Sequence, residues 1–237
     1  MERSGSRFLT FPTKLCAISI SRMESTAIVG LGAGGHGRVI ADILARSGDY
    51  SLEGWLDSNS ELHGSEVCGA PVLGDDSVMA EIYSEKRNKV FLGLGSVGDS
   101  TLRRKVALSA REAGMMFPVI TDPTAMISAS SEIDDGVCLF PFAVVNPNSY
   151  IGRCSIVNTR ATVEHDCRVG EFCHLAPASV IGGGCVIGNG THIGIGAIVR
   201  EGIIIGENAI VGAGAVVVSD VAAETTVGGV PAKNLNC

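Results

Sequence analysis

The sequence predicts two units in tandem, a small parallel α/β unit followed by a parallel β-solenoid. Three observations carry this. Residues 26–120 alternate strand-like and helix-like segments at the spacing of parallel β-α-β units. From Ile127 to Val217 an Ile, Leu or Val recurs every six residues, sixteen times without a break. Four residues after each of these anchors stands a Ser, Ala, Cys or Thr in thirteen of the sixteen units, the exceptions being Val137, Ile203 and Val221.

Residues 1–22 differ in character from the rest. They carry Arg3, Arg7, Lys14 and Arg22 against Glu2, and the apolar run at 15–20 is too short for a signal-peptide core. They fit a transit peptide, or a tail upstream of a true start at Met23; the second reading is preferred. Thr26–Gly32 then reads as a buried strand. Gly37–Ser47 reads as a helix with Val39, Ile40, Ile43 and Leu44 on one face, stopping at Gly48. Leu52–Leu56 and Val90–Leu94 read as further strands. Leu102–Ala113 is a second helix, closed by Gly114, and Met116–Ile120 is a fourth strand. Beyond Pro123 each hexad makes a short strand and a turn. The aliphatic anchor points inward, the small residue packs at the corner, and a glycine after the anchor, as at 152, 170, 182, 188, 194, 206 and 212, relieves the turn. Three hexads make an eighteen-residue coil, so about five coils are expected. The expected division is 1–22 extension, 23–122 α/β unit and 123–237 solenoid.

The net charge of -7 and the lack of any Lys/Arg-rich run exclude a nucleic-acid binder. No run of about eighteen apolar residues offers a transmembrane helix, so no membrane partner is expected. Eight cysteines contain no Cys-x-x-Cys pair. Reduced thiols and a cytoplasmic location follow as the default.

Two places have the residue types for chemistry. Gly30-Leu31-Gly32-Ala33-Gly34-Gly35 follows a strand and precedes a helix, and Asp57 ends the next strand. Such a loop lets backbone N–H groups approach a phosphate at a helix N-terminus. A tight turn with no ligand is the plain alternative. An NAD site is disfavoured, because about 95 residues leave no room for two mononucleotide halves. His36 starts the helix and reads equally as an exposed cap. His165 stands in Val163-Glu164-His165-Asp166-Cys167 at the turn of its hexad. Two flanking carboxylates would raise its basicity, although Asp166 reaches the ring only if the backbone bends at the corner. Cys167 reads as corner packing rather than as half of a Cys–His dyad. His174 and His192 are eighteen residues apart and would stack on adjacent coils; no metal site is expected, since the spacing of trihistidine zinc sites is missing.

The start GLGAGGHGRV, the segment NTRATVEHDCRVGEF, the phrase IGIGAIV and the close VGGVPAKNL together resemble one family. It is the two-domain hexapeptide-repeat acetyltransferases of nucleotide-linked 4-amino sugars, grouped with sialic-acid O-acetyltransferases. The resemblance spans about residues 26–235. It implies a Rossmann-like domain joined to a left-handed parallel β-helix, with acetyl-CoA as co-substrate and a homotrimer with sites between subunits. It implies His165 as general base, polarised by Asp166, with direct attack of the acceptor on the thioester. It implies nucleotide-sugar binding by Gly34, Gly35, His36, Asp57 and Gly95. It implies donor binding by His174, Gly183, Gly194, Ile195 and Lys233, the glycine N–H groups meeting the thioester oxygen. The expected reaction is N-acetylation of the sugar 4-amino group; O-acetylation of sialic acid or another hydroxyl is the alternative. An NAD-dependent oxidoreductase and a non-catalytic scaffold are more distant readings. Arg160 departs from the family's small residue, and a bulky cation there is expected near His165, either narrowing the acceptor pocket or binding an acidic group.

Overall fold

The computed structural model describes residues 25–82 and 88–235. The expectations for residues 1–22 and for Met23 lie outside the described residues.

The first unit is a five-stranded sheet of β1 (Thr26–Leu31), β2 (Tyr50–Leu56), β3 (Glu66–Val67), β4 (Ala70–Gly74) and β5 (Val90–Leu92), in the order β3-β4-β2-β1-β5. β1 pairs in parallel with both β2 and β5. The chain therefore reverses its winding direction at β1, and a crevice opens beyond the carboxyl ends of these strands. The helices are α1 (Gly35–Ser47), α2 (Met79–Ile82) and α3 (Thr101–Glu112). α1 ends as its sequence requires: Gly48 takes φ 75° and its N–H bonds Leu44 O at 3.0 Å. Ile40, Ile43 and Leu44 are buried as expected, but Val39 faces outward, 39% exposed. Trp55 is fully buried and donates its indole N–H to Val67 O at 2.8 Å. Its ring fills the space over Gly30 and Gly37, where an added Cβ would lie 2.3 Å and 2.9 Å from it.

The solenoid follows with three flat faces and an eighteen-residue register. Thr162 pairs with Val180, Arg168 with Val186, and His174 with His192. Along each coil the chain crosses the first face (His174–Leu175), then the second (Val180–Ile181), then the third (Val186–Ile187). The three sheets hold eight, six and five strands respectively. Every anchor from Leu139 onward is buried. So are the corner residues from Val137 onward, with Val137, Ile203 and Val221 occupying the same slot despite their size. The turn itself departs from the sequence reading. The left-handed φ falls three residues after the anchor, at Asn148, Arg160, Asp166, Gly184 and their equivalents. The glycines directly after the anchors serve close stacking instead: a Cβ on Gly182 would lie 2.5 Å from Glu201 N of the next coil. The last coil is two residues short, Ile210 pairing with Thr226, and Lys233–Asn234 closes the first face as an antiparallel strand.

One strand expected in the α/β sheet belongs to the solenoid. Met116 makes only a bridge to Lys89, and Ile120–Thr121 pairs with Cys138–Leu139 as the first rung. Pro118 lacks an N–H and restrains Phe117, which stops a strand from running through. The two units share their cores. Ile28, Ile40 and Trp55 cluster with Cys138, Phe140 and Ile156 of the solenoid. Val106, Ala110 and Phe117 cluster with Cys154 and Phe172. Arg103 of α3 is buried at this seam and donates to the carbonyl oxygens of Cys154 and Phe172.

Candidate functional site

The structure gathers the candidate residues into three places. The first is the crevice beyond β1, β2 and β5. Gly32 takes φ 99° and Gly93 lies so close that a Cβ there would meet Gly32 O at 2.0 Å. Asp57 ties the loop down, accepting from Ala33 N–H at 2.8 Å and Asn59 N–H at 2.8 Å. Leu56, Leu94, Leu102 and Val106 form apolar walls, and Asp76 stands at the rim. Gly34 caps α1 without a side-chain bond, and a Cβ on Gly34 or Gly35 would meet nothing within 4 Å. The open space over these glycines and the uncapped helix start suit a diphosphate. Tight helix–strand packing is the task of Gly37, whose Cβ would meet Gly32 O at 2.4 Å. His63, given no role from sequence, bonds Asp57 O at 2.8 Å and steadies this loop.

His36 is not an exposed cap. Its ring stacks on Phe140 at 5.0 Å, and its Nε2 is enclosed without a partner. Gly95 lies over it, a Cβ there coming within 3.5 Å of His36 Cβ. Burial, with Arg103 and His174 nearby, pushes the imidazole down to about 3. It is a neutral ring at the seam between the two units.

The second place is the corner between the second and third faces. His165 Nδ1 lies 2.8 Å from Asp166 Oδ2, and both side chains are mostly exposed. The bend that this contact requires is present, for Asp166 has φ 59°. Asn148, one coil earlier, donates to Asp166 Oδ1 at 3.2 Å. The hydrogen bonds from His165 and Asn148 hold the Asp166 carboxyl below its ordinary range. Glu164, the other flanking acid, is engaged by Asn146 Nδ2 at 2.9 Å. Gly183 lies one coil beyond, directly against the ring: a Cβ there would sit 2.7 Å from His165 Nε2. Gly183 therefore stands directly beside the histidine ring, on the coil that follows it. Cys167 turns inward, its thiol on Gly182 O at 3.1 Å, and the Cys185 contact with burial keeps it protonated. No Cys–His dyad forms.

The third place is the corner between the first and second faces, where a pocket holds roughly 580 Å³ of empty space. His174, His192, Gly194 and Ile195 line it with Val97 of the α/β unit. His174 and His192 do stack, in an edge contact of 5.1 Å. His174 Nδ1 meets Ser96 O at 2.5 Å and its Nε2 meets Asn158 Nδ2 at 3.0 Å. Burial pushes His174 down to about 4, so it is neutral. Gly194 N–H is committed to Val211 O at 2.8 Å, which leaves it no bond for a thioester oxygen. Lys233 lies apart, in a groove with Asp220, Ala222 and Thr225 at the solenoid end. Arg160 sits on this first-to-second corner, and not on the corner that carries His165. Among the described residues no group of three or more His, Cys, Asp or Glu side chains is placed to hold a metal ion.

Comparison with known proteins agrees with this architecture. Residues 27–109 match the PglD N-terminal domain, and residues 184–219 match the bacterial transferase hexapeptide repeat. GDP-perosamine N-acetyltransferase of Escherichia coli O157:H7 is 31% identical over 158 residues, 64% of this chain and 68% of that protein. A perosamine N-acetyltransferase from Caulobacter crescentus, solved with CoA and GDP-perosamine, is 35% identical with a TM-score of 0.83, covering 89% of this chain and 97% of that one. The acetyltransferase domain of PglB from Neisseria gonorrhoeae, solved with acetyl coenzyme A, is 34% identical with a TM-score of 0.82, covering 89% and 100%. The solenoid is thus a left-handed β-helix, and the chain belongs to the two-domain hexapeptide-repeat acetyltransferases of nucleotide-linked 4-amino sugars.

Proposed function

We propose that this chain moves the acetyl group of acetyl-CoA onto the 4-amino group of a nucleotide-activated amino sugar, with His165 as general base. The observation that carries it is the His165–Asp166 pair, set at 2.8 Å on an open corner with Gly183 against the ring. With Nδ1–H donating to Asp166, the His165 lone pair lies on Nε2. As the amine nitrogen attacks the thioester carbonyl, Nε2 takes its proton. The tetrahedral intermediate collapses, the C–S bond breaks, and the thiolate of CoA leaves and is protonated from the imidazolium. The thioester is already activated, so no covalent enzyme intermediate is needed. Related enzymes support the acceptor class: the Caulobacter protein was solved with GDP-perosamine, including a variant with one histidine replaced by asparagine. The crevice at Gly32–Gly35 and Asp57 is the place for the nucleotide.

A trimer completes the site. Within one chain the His165 corner and the donor pocket flank opposite edges of the second face. That face presents Met126, Val144, Thr162, Val180, Ile198 and Val216 outward, apolar but for Thr162. Met126 is 58% and Ile198 46% exposed, an apolar row that a single chain leaves in water. Packing copies through this face sets the His165 corner of one against the donor pocket of the next. We place the enzyme in the cytoplasm, where thiols such as those of the six described free cysteines stay reduced.

The test is acetyl-CoA with GDP-perosamine, UDP-linked 4-amino sugars and free sialic acid, read by mass spectrometry. Product on a nucleotide amino sugar, reduced by about 10²–10⁴ in His165→Ala, is the expected result. Product on sialic acid alone overturns the acceptor class.

A further inference from the structure

We infer that His192 is the side chain that hydrogen-bonds the acyl donor, its Nε2–H holding a carbonyl oxygen of the acetylated pantetheine arm. The inference rests on reading the pocket between the first and second faces as the donor site. That pocket is lined by Val97, Ala176, Ile195, Ile210 and Ala213 among others, and its only polar side chains are His174 and His192. An arm carrying amide and thioester carbonyls therefore has two histidines to meet.

His174 has nothing left to offer. Thr159 N–H donates to Asn158 Oδ1 at 2.7 Å, which fixes that amide with its NH₂ toward His174. Asn158 Nδ2 thus donates to His174 Nε2, so His174 carries its proton on Nδ1 and donates it to Ser96 O. Both ring nitrogens are consumed inside the chain. The role of His174 is to join the Ser96–Gly98 loop, with Val97 as pocket wall, to the solenoid.

His192 is the opposite case. It occupies the equivalent position one coil on, is 8% exposed, and makes no hydrogen bond through Nδ1, which is enclosed. A buried N–H without an acceptor is costlier than a buried lone pair without a donor, so the proton sits on Nε2. Burial keeps the ring neutral. Nε2–H is then the one side-chain donor available to a ligand in an otherwise apolar pocket. A carbonyl oxygen of the arm is the acceptor that matches it.

The experiment is calorimetric binding of CoA and of acetyl-CoA to the full chain, with steady-state kinetics, for His192→Phe and His192→Gln. Phenylalanine keeps the ring volume and loses the donor; glutamine restores an N–H at similar reach. The expected result is a roughly tenfold weaker affinity for acetyl-CoA and an equal rise in its KM in His192→Phe. The KM for the nucleotide sugar and the melting temperature stay as in wild type, and His192→Gln recovers most of the loss. Loss for acetyl-CoA alone assigns the bond to the thioester carbonyl; loss for both probes assigns it to a pantetheine amide. Unchanged affinity in His192→Phe overturns the inference, and His192→Leu takes its place if that variant does not fold. Wild-type protein that binds neither probe overturns the acetyltransferase reading itself, an outcome distinct from the variant's failure.

Discussion

One methyl group on Gly183 should separate the chemistry of His165 from the stability of the fold. Gly183 has no left-handed φ, so alanine is acceptable to the backbone. The new Cβ would lie 2.7 Å from His165 Nε2, 2.8 Å from Cε1 and 3.3 Å from Cδ2. Ordinary contact between such atoms is about 3.5–4.0 Å, so the ring must withdraw by roughly 1 Å. It can do so cheaply, because its side chain is 64% exposed and little packs on its outer side. The melting temperature should therefore hardly change. Withdrawal breaks the 2.8 Å alignment with Asp166 and displaces Nε2 from the attacking amine. A misplacement of that size costs about 10²-fold in turnover. Steady-state kinetics with acetyl-CoA and GDP-perosamine, beside a thermal melt, make the measurement. Wild-type kcat in Gly183→Ala would refute the argument that this glycine sets the ring's position. Loss of activity together with loss of the fold would refute the claim that the cost is local.

Three further outcomes are expected. Gly34→Ala should leave the melting temperature alone and raise the KM for the nucleotide sugar, since its Cβ enters only ligand space, whereas Gly30→Ala should cost about 1–3 kcal/mol by striking Trp55. Stability should fall as pH drops below about 6.5, because the unfolded chain protonates His36 and His174 while the folded one holds them down to about 3 and about 4. At pH 5 the loss is about 2 kcal/mol for each histidine, and denaturant melts of His36→Phe should lose its share of that slope. If copies pack through the second face as proposed, wild type should sediment as a trimer in analytical ultracentrifugation and Ile198→Glu as a folded monomer without turnover, since Ile198 is outward on that face.

The hexad anchors were legible because inward burial at every sixth residue leaves a periodic mark that no other fold imitates over sixteen units. The corner slot was legible for the same reason, and even its misfits, Val137, Ile203 and Val221, occupy it. The His165–Asp166 contact was a conditional expectation, because two adjacent residues on a strand diverge unless the second turns left-handed; Asp166 does. The β3–β4 hairpin was missed, since Glu66–Val67 is two residues long and Ala70–Gly74 contains a proline. The first rung at Ile120 was misassigned for want of a periodic partner upstream. Arg160 was misplaced by treating five residues of sequence as proximity, when five residues here turn one corner and cross one face. The neutrality of His36 and the saturation of His174 depend on contacts across the seam, which no local pattern records.

The eighteen-residue register makes length itself a quantised property of the second unit. Deleting one residue between Ile127 and Val217 would turn every later anchor out of the core, whatever its chemistry. Deleting eighteen would remove a whole coil and leave every remaining contact with a neighbour of the same kind. The chain can therefore lengthen or shorten by cassettes, yet cannot change by small steps in length along its faces. Extra residues have only one outlet, the corners, where they can be extruded as loops without disturbing the count. New recognition surfaces in this fold must then arise at its edges, which is where His165 and the pocket at His174 and His192 already stand.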